Sequence, residues 1–245
     1  MTSSAPASAR RWVWGAIVAA TTAVATAGAQ EQPGLSTVVG FSPLNIPCRL
    51  DSTGDTAVPR KASPGHELRS AFESAVARCQ RAIQSGEEGV TEYVGLAEAG
   101  IGLWCFGFVP RDAILARADA AVEAALQLDD KVALAHTARG VLLLARRNWI
   151  AADQEFRRAV NLDPDQARAH QWYALFLAAM GRHDEAMAAS RRAVARDSSP
   201  GTQTVRGATY YFARRFEPMV RHMEQIVRAS PRFAPAHDWL GMAYV

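Results

Sequence analysis

Six histidines are the first residues to weigh, because imidazole is both a common metal ligand and a general base near neutral pH. Three of them, His136, His170 and His237, fall at one common phase, each four positions before a small residue. A shared metal would need their nitrogens within about 2 Å of one ion, and side chains recurring once per structural period sit too far apart for that. His183 and His222 read as turn and helix-surface residues. The acidic groups Glu87-Glu88, Asp129-Asp130, Asp163 and Asp165 fall where helices hand over to one another, so they read as caps for the following helix N-terminus rather than as an acid/base pair. The sequence has no His-Glu-x-x-His, no Cys-x-x-Cys, no Gly-x-Ser-x-Gly and no Gly-rich loop ending in Lys-Ser/Thr. The expectation is therefore no catalytic residue, no metal, no cofactor and no small-molecule substrate.

Cysteines and charge narrow the class further. Cys48, Cys79 and Cys105 leave at least one thiol unpaired. Cys79 and Cys105 lie in apolar helical contexts and read as small core residues; in an oxidising compartment Cys48 and Cys79 could instead pair and pin the N-terminal segment to the first helix. The sequence pI is about 9.0, which invites nucleic acid. Arg10 and Arg11, however, belong to a leader-like segment, SARRWVWGAIVAATTAVATAGAQ. Its removal takes the basic residues from 27 to 25 against 24 acidic ones, no phosphate-seeking balance. In that segment an uncharged apolar stretch from Trp12 precedes Ala27-Gly28-Ala29, a small-residue pattern suited to cleavage before Gln30. Export to the periplasm or beyond follows from cleavage; an uncleaved segment would instead anchor the chain in the inner membrane.

The helices that must carry any function announce themselves by period. Residues 1–29 read as signal peptide. Residues 30–64, with Gly34, Pro43, Pro47, Gly54, Pro59 and Pro64, read as flexible linker. From residue 65 to 245 helical periodicity runs almost unbroken. Gly140, Ala174, Gly207 and Gly241 mark it at intervals of 34, 33 and 34, and the stops Pro164 and Pro231 lie two such periods apart. Helix pairs repeating near 34 residues predict an all-α protein, an α-solenoid of antiparallel helix pairs, in which small residues let paired helices approach closely. Trp239 to Tyr244 reads as a first helix without its second, so the last repeat looks truncated or covered by another subunit.

The run from Ala133 to Pro164 resembles a tetratricopeptide repeat. Gly140, Leu143, Ala152, Phe156, Ala159 and Pro164 stand at that family's small, apolar, small, aromatic, small and proline positions. The next unit keeps Tyr173, Ala174, Leu177, Gly181, Ala186 and Ala193, puts Ser190 at the aromatic position, and moves the proline two places on, to Pro200. The third keeps Gly207, Tyr210 and Phe216 and carries Met219, Met223 and Ile226 elsewhere, which predicts slightly wider helix spacing. Phe156 is expected to fill the groove between one pair and the next, and the phased histidines to replace a packing aromatic. The chain is also similar to the repeat regions of bacterial signalling and regulatory proteins, without their effector domains.

The resemblance implies that first helices line a concave groove. Candidate contacts for a protein or peptide are Thr137, Arg168, Gln171, Thr204, Tyr211, Phe212, Asp238 and Trp239, and the neighbouring face positions are Val141, Leu175, Ala208 and Met242. The aromatics at 211, 212 and 239 fit inter-repeat packing equally well. The expected function is an exported protein- or peptide-binding scaffold, not an enzyme. The alternative is a membrane-anchored sensory piece of a bacterial signalling protein.

Overall fold

The computed structural model describes residues 64–86, 89–105, 107–231 and 233–243. These residues form helices joined by short turns: α1 Pro64–Gln84, α2 Val90–Cys105, α3 Arg111–Leu128, α4 Ala133–Ala145 and α5 Trp149–Leu162, then α6 Ala167–Ala179, α7 His183–Arg196, α8 Pro200–Phe212, α9 Phe216–Ala229 and α10 Ala234–Ala243. The class is all-α, and antiparallel helix pairs are its unit. The leader, the linker up to residue 63 and Cys48 lie outside the described residues, as do Glu87 and Glu88, while Pro64, the last linker position by sequence, opens α1.

The helices group into two compact units that divide between Pro164 and Asp165. In the first, α1 packs on α2, α2 on α3, α3 on α4 and α4 on α5, while α2 and α4 lie side by side. In the second, each of α6 to α10 packs on the next, and α6, α8 and α10 form one layer of first helices.

Close approach within pairs follows from glycine, as the period requires. A Cβ on Gly140 would fall 2.8 Å from the Phe156 ring, so the ring seats on the first helix of its own pair, where the sequence suggested the groove to the next. A Cβ on Gly102 would fall 2.2 Å from the ring of Phe72, repeating the device between α1 and α2. Around Met223 the helices α8 and α9 approach less closely than α4 and α5 or α6 and α7, the wider spacing expected, and the Met223 Cε lies 1.7 Å from where a Cβ of Gly207 would be. Unbranched methionine reaches as far as the ring it replaces and fills the gap that the glycine opens.

The turns are equally regular. Arg147, Gly181 and Arg214 share one phase, and all three adopt left-handed backbone, with φ of 62°, 75° and 55°. Asn148 caps α5, its side chain accepting from the Ala151 amide at 3.3 Å. The displaced Pro200 is explained by Ser199, which caps α8 directly before it; proline at the first helical position has no amide to leave unsatisfied. The aspartates do not cap the helices that follow them. Val132 and Gln166 hold the capping positions of α4 and α6 without side-chain bonds. Asp129 instead accepts from the Lys131 amide at 2.8 Å, Asp130 pairs with Arg158 at 3.1 Å, and Asp165 pairs with Arg196 at 2.5 Å.

Cys79 is buried and disulfide-bonded, which the core-residue reading did not favour, whereas Cys105 is a free thiol. Burial pushes the Cys105 pKa up to about 12, which keeps the thiol protonated at neutral pH.

Candidate binding surface

The phased histidines do more than pack. His136 is buried, with Nε2 2.8 Å from the Asp130 carbonyl oxygen and Nδ1 2.6 Å from Glu155 Oε2. Both ring nitrogens thus face acceptors, and neither is left for a metal. His237 Nε2 donates to the Pro231 carbonyl at 2.9 Å. In both cases the acceptor is six residues upstream, so the ring ties its helix to the turn before it. Burial alone would raise the pKa of Glu155, but the hydrogen bond from His136 and the charges of His136, Arg139 and Arg158 outweigh it and hold the carboxyl below its ordinary range. His222 is half-buried rather than on the helix surface, with Nε2 2.9 Å from the Gln203 carbonyl oxygen and its ring edge-on to Tyr210. Burial lowers its proton affinity, Arg206 adds to that, and the Gln203 bond opposes it.

The eight candidate contacts divide by burial. Thr137, Gln171, Thr204 and Trp239 are buried; Arg168, Tyr211, Phe212 and Asp238 are partly exposed. The two threonines satisfy their hydroxyls inside their own helices, Thr137 on the Ala133 carbonyl at 2.8 Å and Thr204 on that of Gly201 at 2.7 Å. Of the neighbouring face positions, Val141 and Ala208 are buried, Leu175 is half-buried and Met242 is exposed.

Gln171 belongs to a polar knot that no sequence pattern announces. Its side-chain amide donates to the Thr202 hydroxyl, which in turn donates to Asp197 Oδ2. Asp197 also accepts from the Ser199 amide and hydroxyl, both at 2.9 Å. Burial works to raise the Asp197 pKa; the bonds from Thr202 and Ser199 and the charge of Arg168 prevail and lower it. The knot fastens α6 to the α7–α8 turn. Its members are 31 residues apart at Gln171 and Thr202, beyond any local pattern.

The aromatics gather in one place. Tyr211 lies edge-on to Phe212, Phe216 and Trp239, with centroids 5.7, 5.9 and 5.5 Å away. Trp239 is the inner wall, packed with Ala208, Met219, Met223, Ile226 and Ala236. Phe216, which the sequence treated only as a repeat position, is 42% exposed. Among the described residues no cluster of three His, Cys, Asp or Glu side chains could hold a metal, and no helix is long and apolar enough to cross a membrane.

Helix pairs of 33 to 34 residues, closed by glycine against an aromatic or methionine sixteen positions later, decide the fold. This is the tetratricopeptide-repeat fold. A thermophilic tetratricopeptide-repeat protein of Thermus thermophilus superposes with a TM-score of 0.61 at 14% identity, over 74% of this chain and 95% of its own. A chain of the APC/C hetero-tetramer Cut9-Hcn1 gives 0.58 at 15% identity, over 73% of this chain and 35% of its own. A tetratricopeptide-repeat protein of Parabacteroides merdae gives 0.53 at 16% identity, over 73% and 68%. No family model matches the sequence, and no curated protein matches it. Serine and methionine at two of the three repeat positions that otherwise hold an aromatic dilute the sequence signature while leaving the tetratricopeptide-repeat geometry in place.

Proposed function

We propose that this chain is an exported, non-catalytic scaffold that binds a protein or peptide on the first-helix layer of its second unit. The observation that carries the reading is the Tyr211–Phe212–Phe216 cluster, where aromatic rings remain partly open to solvent. Large rings left exposed on a helical layer are what a partner's apolar side chains can cover. One structurally similar chain is a component of a hetero-tetramer, which is in keeping with a fold used for assembly. Export is supported by the leader pattern, Arg10-Arg11, apolar stretch, Ala27-Gly28-Ala29, and by the disulfide at Cys79, since such bonds persist in oxidising compartments. Pairing of Cys48 with Cys79 is part of the proposal.

The full chain, expressed with its leader, tests it. Mature protein should begin at Gln30 in an extracytoplasmic fraction, and Tyr211→Ala/Phe212→Ala should lose most of the partners captured by wild type. Trp239 is unsuited as a probe because it is core. Retention in membranes with residues 1–29 intact replaces export with the anchored reading, and unchanged capture by the double variant removes the groove.

A further inference from the structure

At the α8–α9 turn the aromatic cluster meets two cations that no carboxylate among the described residues neutralises. Arg214 and Arg215 are exposed, and neither forms an ion pair among the described residues. The nearest acid in sequence, Glu217, is engaged by Arg221. The corresponding turns behave differently. Arg182, in phase with Arg215, donates to Glu185 at 2.7 and 2.6 Å, and Arg146, beside the turn residue Arg147, donates to Asp119 at 3.0 Å. Where Arg182 finds Glu185 three residues on, Arg215 finds Pro218. Arg214 holds left-handed backbone, which glycine adopts freely, as Gly181 does at the same phase, and which strains an L side chain. From residue 165 onward the chain has eleven arginines against seven carboxylates.

We propose that Phe212, Arg214, Arg215 and Phe216 form a ledge that docks an acidic peptide segment bearing an aromatic or aliphatic anchor. The rings take the anchor, and the paired guanidiniums take carboxylates on either side of it, with fork geometry suited to bidentate bonds. This deepens the scaffold reading by naming the chemistry of the partner at one edge of the same layer.

A labelled peptide with two glutamates on each side of a central phenylalanine, and its twin with glutamine for each glutamate, provide the test by fluorescence anisotropy on the full chain. The acidic peptide should bind and the twin should not, and added salt should weaken binding, as for exposed charge pairs. Arg214→Glu/Arg215→Glu should weaken binding about tenfold or more, as loss and reversal of two charges at a rim implies. Arg214→Gly should raise the melting temperature while lowering affinity, a pairing that a purely structural role would not produce. Equal binding of the twin, or unchanged binding by the charge-reversed variant, overturns the ledge. So does equally strong, arginine-dependent binding of a single-stranded oligonucleotide or of anionic vesicles. Peptide binding that survives the arginine variants but is lost with Tyr211→Ala/Phe212→Ala sinks the ledge and leaves the groove. Partner capture untouched by Tyr211→Ala alone, which leaves every ledge residue in place, with peptide binding still lost in the arginine variants, removes the groove and leaves the ledge.

Discussion

The two units solve one packing problem with different materials. In the first, glycine on one helix meets a rigid ring from its neighbour, Gly102 with Phe72 and Gly140 with Phe156. In the second, Gly207 meets the flexible end of Met223, and Ala174 stands where the sixteenth residue on is only Ser190. The first unit is cross-braced by Arg146–Asp119, Arg139–Glu123 and Arg158–Asp130; the second relies on the Asp197–Thr202–Gln171 knot and a methionine-rich core. Residues 65–164 carry 14 acidic and 11 basic side chains, the reverse of the balance after Pro164. Rings specify one geometry, whereas thioethers adapt to several. The difference teaches that the unit offering open aromatics is also the one whose interior can adjust beneath them.

Removing the plugs should separate the units most. Phe156→Ala should cost about 3–5 kcal/mol and Met223→Ala should fall near the low end of about 2–5 kcal/mol, read from urea unfolding; equal losses would erase the contrast. Filling the glycine sites comes next. Gly102→Ala and Gly140→Ala should each cost about 1–3 kcal/mol because a ring cannot bend away. Gly207→Ala should cost under about 1 kcal/mol, since the Met223 methyl can swing aside and alanine favours helix by about that much. A Gly207→Ala penalty matching that of Gly140→Ala would show that Met223 is as unyielding as a ring.

Much of this was legible in advance, and the exceptions have physical reasons. Gly140, Ala174 and Gly207 reveal the period because the crossing of paired helices tolerates only small side chains, whereas Gly241 keeps the phase although a Cβ there would meet nothing. What filled the crossing was less plain, because methionine carries no shape information in sequence while its reach matches that of a ring. Thr137 and Thr204 are polar and phased as candidate groove contacts, and their burial with hydroxyls bonded to their own helices was not legible, because a threonine on a helix can satisfy its hydroxyl on its own backbone. His222 looked like surface because its neighbours are charged. Its burial depends on Gln203 and Tyr210, from another helix. Phe216 was seen as a repeat position, and its exposure depends on the turn before it.

Two smaller effects sharpen the contrast. Arg214→Gly should stabilise the protein by about 0.5–1 kcal/mol through relief of left-handed strain, read as a higher melting temperature. Arg147→Gly should gain less, because Arg147 has interactions to lose. Acidification should then loosen the second unit first. His222 binds its proton less readily folded than unfolded, so its contribution is intact above its ordinary value of 6.5 and declines as pH falls below it. Glu155 in the first unit is likewise lowered, and its contribution declines only below the ordinary 4.5. Hydrogen exchange followed segment by segment from pH 7 to 4 should show α8–α9 opening before α4–α5; simultaneous opening, or no change in order with His222→Gln, would dissociate His222 from the effect.

The reach of six residues from His136 back to Asp130 has a consequence for how this chain can vary. A helix turns about 100° with each residue, so one residue inserted between the two would take the Asp130 carbonyl out of reach of an imidazole that Glu155 holds from the other side. Length changes between α3 and α4 are therefore confined to whatever lies outside that span, and drift in this family of pairs must proceed by exchange of side chains rather than by gain or loss of backbone there.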